Sequence, residues 1–218
     1  MLKAETMTAT ELIVVRHGET LWNSQSRIQG HHNSELTEAG FRQARAIAKR
    51  LSRTPFDILY SSDLKRALQT AQCIAEPNGH EIKIEPRLRE RNMGIFEGLT
   101  REEILEKCAD EYAHIKVHSP TYSIPGGESL QEVYNRITTC FREIVDAQAG
   151  KRIVAVTHGG VLDSLIRFVM EIPLSAPRKF RLFNAGLNTF FIRDGVWMLG
   201  TWGDVSHLTD LSALDHWH

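Results

Sequence analysis

The chain has 218 residues, 42% of them hydrophobic and 24% charged, with a formal net charge of −1. Those figures describe an ordinary globular chain, long enough for a large core and most economically one domain over 1–218. They exclude the broad positive field that draws nucleic acid or anionic lipid.

The apolar runs fall far short of the ~20 residues a membrane helix needs. The amino terminus MLKAETMTATE lacks an apolar signal core. Cys73, Cys108 and Cys140 are widely spaced with no CxxC, so neither a disulfide framework nor a zinc ribbon is indicated. A cytoplasmic, reduced protein is expected.

In chain order, Leu12–Val15 (LIVV) reads as a first strand, near-continuously apolar as strands covered on both faces tend to be. Thr37–Leu51 follows with a helical period that sets Phe41, Ala44, Ala48 and Leu51 on one face. Phe56–Tyr60 is the second strand, and Asp63–Ile74 a helix with Leu64, Ala67, Leu68, Ala71 and Ile74 on its apolar face. Ile82–Glu85 is a third strand. The segment Ala109–Gly127 is the least regular and reads as an excursion of the kind that carries specificity, with His114, Lys116 and His118 as contacts for a second anionic group. Ser129-Leu-Gln-Glu132 has capping-box spacing and opens a helix to about Gln148. Ile153–Thr157 is the fourth strand, with a helix after His158. Finally, Leu187–Arg193 and Val196–Thr201 flank the hairpin signal Asp194-Gly195. Strands alternating with helices predict a three-layer α/β/α sandwich with a mostly parallel sheet and an antiparallel edge strand from the hairpin.

Ligands of parallel α/β sheets bind beyond the carboxyl ends of the strands. There the sequence supplies Arg16-His17, Asp63-Leu-Lys-Arg66, Arg89-Glu90-Arg91 and His158-Gly159-Gly160. Singly, these are a strand end, a helix-surface cation, a solvated turn and a glycine turn. Together they match an imidazole nucleophile, guanidinium groups for a dianion and a carboxyl group for proton transfer. The metal-site and nucleotide signatures GxxxxGK[ST], HExxH and a strand-end DxD are absent, and no Cys is followed six residues later by Arg. Metal-free transfer to histidine remains. His31-His32 reads as an exposed loop pair, and His216-Trp217-His218 as a frayed tail.

These motifs resemble the histidine phosphatase superfamily, which has the fold of cofactor-dependent phosphoglycerate mutase. The resemblance runs through Arg16-His17-Gly18-Glu19-Thr20-Leu21-Trp22-Asn23, Arg27-Ile28-Gln29-Gly30, Leu36-Thr37, Tyr60–Ala67, Leu88-Arg89-Glu90, Pro125–Ser129, Thr157–Gly160 and Trp202–Leu208. It implies that His17 becomes phosphohistidine and that Arg16, Arg66 and His158 hold the phosphoryl group. It implies that Glu90 first protonates the leaving oxygen and then activates water. Asn23 would contact the phosphoryl group, Gln29 and Gly30 would line the entrance, and Gly159 would contact substrate. His207 would support the fold.

The resemblance further implies metal-independent hydrolysis of a small phosphorylated metabolite without a cofactor, with no nucleic-acid or membrane partner and with a homodimer left open. Neutral His17 needs a tautomer partner, and a carbonyl in the Gly18 turn is expected. Partial burial or an approaching phosphate should keep Glu90 protonated. A phosphoglycerate mutase is the alternative. Gly160, where mutases of this fold carry Asn, and Arg27-Ile28-Gln29-Gly30 favour the phosphatase branch, whereas Glu90-Arg91-x-x-Gly94 resembles the mutases. A non-catalytic phospho-ligand binder is the third reading, opposed by the presence of every reactive residue.

Overall fold

The computed structural model describes residues 9–116 and 119–208. The tail 216–218 and His118 therefore lie outside the described residues. Strand β1 (Thr10–Arg16) is followed by a single turn, α1 (Leu21–Ser24), and by α2 (Glu38–Leu51). Then come β2 (Ile58–Ser61), α3 (Lys65–Asn78), β3 (Ile82–Ile84), α4 (Arg101–Lys107), α5 (Ala109–Lys116), α6 (Leu130–Ala147), β4 (Arg152–Thr157), α7 (Gly159–Val169), β5 (Leu187–Arg193) and β6 (Val196–Asp204).

The six strands form one sheet in the order β3-β2-β4-β1-β5-β6. The β1–β4, β2–β4 and β2–β3 pairs are parallel, and β5 runs antiparallel to β1. The hairpin thus adds two antiparallel strands, not one: β5 is internal and β6 forms the edge. Its turn fits the sequence, since Asp194 and Gly195 both have positive φ, 53° and 76°, as a type I′ turn requires.

The period-2 alternation of the central strands sorts the core into two layers. Leu12, Val14, Ile153 and Ala155 pack against Val133, Ile137 and Phe141 of α6 and Val161 and Leu165 of α7. Ile13, Val15, Val154 and Val156 face Ile47 and Leu51 of α2 and Ala67, Ala71 and Ile74 of α3. Burying both faces is what the unbroken apolar runs indicated.

Three expectations shift. The buried face of α2 carries Gly40, Gln43 and Ile47 beside Ala44, Ala48 and Leu51, while Phe41 is only half-buried. Helix α3 begins at Lys65 because Asp63 is drawn out to accept two hydrogen bonds from Arg89, at 2.7 and 2.5 Å. The supposedly irregular segment 109–127 opens with α5, which with α4 covers a small separate core of Phe96, Ile104 and Ile124.

Candidate active site

β1 delivers His17 into the sheet's carboxyl edge. The His17 amide donates to Thr157 O at 2.9 Å, and its carbonyl accepts from Ala185 N (3.2 Å) and Asn184 Nδ2 (3.0 Å). Its ring Nδ1 lies 2.8 Å from Gly18 O, and a carbonyl only accepts, so Nδ1 carries the proton. The ring's basic lone pair is then on Nε2, as the Gly18 expectation required. Gly18 is needed for a packing reason as well: a Cβ there would lie 2.5 Å from Gly40 O in the first turn of α2.

Arg66, in the first turn of α3, is 1% exposed. Its Nε donates to His158 Nδ1 (3.2 Å), Nη1 to His32 O (2.9 Å) and Nη2 to Gly30 O (2.8 Å). Burial lowers its pKa to about 10, partly offset by Glu90. Because His158 Nδ1 accepts from Arg66, its Nε2 carries the proton and donates to Ser62 Oγ at 2.9 Å. His158 is a neutral ring, held well below the usual histidine range first by burial and then by Arg66. It is fully buried 5.2 Å from the His17 ring, behind the wall of the cleft rather than on it.

A cleft of about 280 Å³ opens above these groups. Arg16, His17, Asn23, Gln29, Gly30, Arg66 and Glu90 all line it, whereas Gly159 does not and Gly160 takes its place. Asn23 Oδ1 accepts from Thr20 N and Asn184 Nδ2, which leaves its amide nitrogen as the donor for the cleft. Gln29 Oε1 is buried with no hydrogen-bond partner among the described residues. Glu90 Oε1 accepts from Arg91 N (2.7 Å) and Gly160 N (3.0 Å), and Oε2 lies 3.1 Å from the same Gly160 N. A Cβ at Gly160 would stand 2.2 Å from Glu90 Oε1, so any larger residue there would make the carboxylate shift from this seat.

The entrance loop is fastened by Glu97, which sequence reading passed over. Its carboxylate accepts from His31 N (2.8 Å), His32 N (3.2 Å) and Met93 N (3.0 Å), and contacts His32 Nδ1 at 3.1 Å. Gly30, at φ 49°, must lack a Cβ because one would overlap Glu97 Oε1. His31 Nε2 meets Glu90 O at 2.8 Å, so this histidine is a structural tie and not a free surface group. Among the described residues no three or more His, Cys, Asp or Glu side chains are grouped to hold a metal ion.

The outer cleft also departs from expectation. None of the described residues of 109–127 lines it; His114 stacks on Tyr122 instead, at 4.6 Å between ring centres. The outer wall comes from Arg27, Ile28, Arg91 and Met93, from Leu130 and Val133 of α6, and from Asp163 and Arg167 of α7 with Leu174 and Arg178 beyond it. Arg167 donates to Asp163 Oδ2 (2.7 Å) and Pro173 O (2.7 Å). The i,i+4 spacing of Asp163 and Arg167 was a signal available in the sequence.

His207 behaves as expected of a supporting group: its Nε2 donates to Ala185 O at 3.0 Å, behind the His17 carbonyl. Burial lowers its pKa too. Both histidines therefore bind protons less readily in the fold than in the unfolded chain, which takes them up below about pH 6.5. Stability should be complete above that value and fall as pH drops through it, by up to about 1.4 kcal/mol per pH unit for His158. Thermal denaturation between pH 8 and 5 measures this slope, and His207→Gln should make it shallower.

A parallel-centred α/β/α sandwich with an imidazole, two buried guanidinium groups and a carboxylate at its strand ends defines a histidine phosphatase. Residues 12–205 match the sequence profile of the Histidine phosphatase superfamily (branch 1), and the chain belongs to that family. It is 42% identical over 215 residues to "Phosphoglycerate mutase-like protein 4" of Arabidopsis thaliana, covering 97% of this chain and 92% of the relative. It is 39% identical to the "Metal-independent phosphoserine phosphatase" of the same plant, over 94% of this chain and 86% of that one. Among solved structures it is similar to phosphoserine phosphatase from Entamoeba histolytica in complex with 3-phosphoglyceric acid. The TM-score is 0.82 at 33% identity, covering 91% of this chain and 99% of that one. The chain is accordingly an enzyme of the phosphoric monoester hydrolase type.

Proposed function

We propose that the chain, as one catalytic domain in a cytoplasmic setting, hydrolyses a small phosphorylated acid through phosphohistidine on His17. The observation that carries the reading is the His17 Nδ1–Gly18 O bond, which leaves Nε2 as the lone pair in a cleft walled by Arg16, Arg66 and Glu90. Nε2 attacks phosphorus, and the ester P–O bond breaks as the leaving oxygen takes a proton from Glu90. Glu90 then removes a proton from water, whose oxygen attacks phosphorus and releases orthophosphate from His17. Arg16, Arg66 and the Asn23 amide neutralise the charge that builds on the equatorial oxygens. His158 serves by holding Arg66. Its Nδ1 can only accept, so its part in phosphoryl binding runs through that guanidinium.

The outer wall favours a leaving group with a second anion. Arg91, Arg167 and Arg178 line it beside the apolar Met93, Val133 and Leu174. The relatives' names fit, since phosphoserine and 3-phosphoglyceric acid both carry a carboxylate near the phosphate. A screen of phosphorylated metabolites with and without EDTA tests the reading, run beside a 3-phosphoglycerate mutase assay with and without 2,3-bisphosphoglycerate. Hydrolysis of phosphorylated carboxylic acids unaffected by EDTA is expected. Mutase turnover exceeding hydrolysis would overturn it in favour of the alternative.

A further inference from the structure

Glu90 sits outside any helix or strand, two residues beyond a short 3-10 turn at Pro86–Leu88. A side chain that must give a proton at one step and take one at the next needs a fixed backbone beneath it. Nothing in the local sequence Arg-Leu-Arg-Glu-Arg supplies one.

The support comes from α6. Arg136 Nη1 donates to Arg87 O (2.7 Å) and Arg89 O (2.9 Å), and Nη2 to Glu90 O (3.3 Å). Its Nε and Nη2 also grip Glu128 as a fork, at 3.0 and 2.8 Å. A guanidinium has five N–H groups, and all of them are used here. Glu128 closes the frame from the other side of Glu90: its Oε2 accepts from Asn92 N (2.8 Å), its carbonyl from Arg91 Nε (2.8 Å), and its own N–H donates to Asn92 O (2.9 Å). One ion pair thus holds the carbonyls of residues 87, 89 and 90 and both backbone groups of Asn92, alongside His31 Nε2 at Glu90 O and Thr157 Oγ1 at Leu88 O. Arg136 does not line the cleft, so it has neither a free proton nor the position to bind substrate.

We propose that Arg136, locked to Glu128, is the positioning residue for Glu90, and that the pair sets proton transfer independently of phosphoryl binding. The inference rests on Glu90 being the acid and base of the proposed reaction. Lysine has three donors on a point charge and cannot span three carbonyls and a carboxylate fork. Arg136→Lys should therefore loosen the acid while His17, Arg16 and Arg66 keep their places.

The two substrates to compare are p-nitrophenyl phosphate, whose leaving group needs little protonation, and an alkyl phosphate, whose leaving group needs it fully. For Arg136→Lys, kcat/KM with the alkyl ester is expected to fall ~100-fold and with the nitrophenyl ester less than ~5-fold, within the range of general acid catalysis. Phosphohistidine should accumulate in a burst with the nitrophenyl ester, because activation of water has become slow. Glu128→Gln, which removes the charge and keeps the shape, should show the same split and serves if Arg136→Lys does not fold. Equal losses of kcat/KM for both esters, with no burst, would overturn the inference. Glu90→Gln in parallel separates the two ideas. If it lacks the split, the reading of Glu90 as acid has failed. If it shows the split and both clamp variants do not, the positioning role has failed.

Discussion

His17→Ala is expected to lower kcat for phosphomonoester hydrolysis by about 10⁵-fold and to abolish the phosphoenzyme seen on rapid quenching. The size follows from what the imidazole does. It splits one difficult displacement by water into two displacements at a preorganised nitrogen, and no neighbour can substitute. His158 is the nearest ring, but its Nδ1 is bound to Arg66 and its Nε2 to Ser62, so it has no free lone pair to offer. Phosphate binding should survive, because Arg16 and Arg66 are untouched; orthophosphate affinity measured by calorimetry checks that. Label on any residue other than His17 in acid- and base-quenched mass spectrometry would assign the nucleophile elsewhere.

Glu90→Gln is the second large effect, about 10²- to 10⁴-fold on kcat/KM for an alkyl phosphate and far less for p-nitrophenyl phosphate. The amide keeps the shape and an acceptor oxygen for Gly160 N and Arg91 N, so the seat is preserved while the transferable proton is lost. A plot of log kcat/KM against leaving-group pKa should therefore be steeper for the variant. Parallel plots would remove Glu90 from the acid's role.

The three central strands β1, β2 and β4 could be read because each is a short apolar run with both faces buried, whereas the exposed edge strand β3 showed only through its two β-branched isoleucines. The reactive residues could be read because they lie at or shortly beyond the carboxyl ends of strands, Arg16-His17 and His158 directly and Arg66 and Glu90 within a turn or two. α4 and α5 escaped notice since their apolar residues, Ile104, Tyr112 and Ile115, serve a small side core and not the main one. The supporting groups were harder still. Glu97, Arg136 and Asn184 act on backbone atoms far away in sequence, and nothing in a linear pattern marks a side chain whose partner is a carbonyl. The outer wall is hard to read for a related reason: irregular sequence points to 109–127, yet none of its described residues lines the cleft. The wall is instead built largely from regular helices α6 and α7 and the stretch after them.

The seat of Glu90 against Gly160 has a consequence for how such an enzyme can diverge. The acid is accommodated by a missing carbon atom, 2.2 Å from where one would stand. A side chain at residue 160 would press on the proposed proton donor and leave the anion trap of Arg16 and Arg66 whole. Phosphate capture and tolerance for poor leaving groups can thus drift apart by one codon. One scaffold can in this way distribute a spectrum of esters among duplicated copies without rebuilding the part that recognises phosphorus.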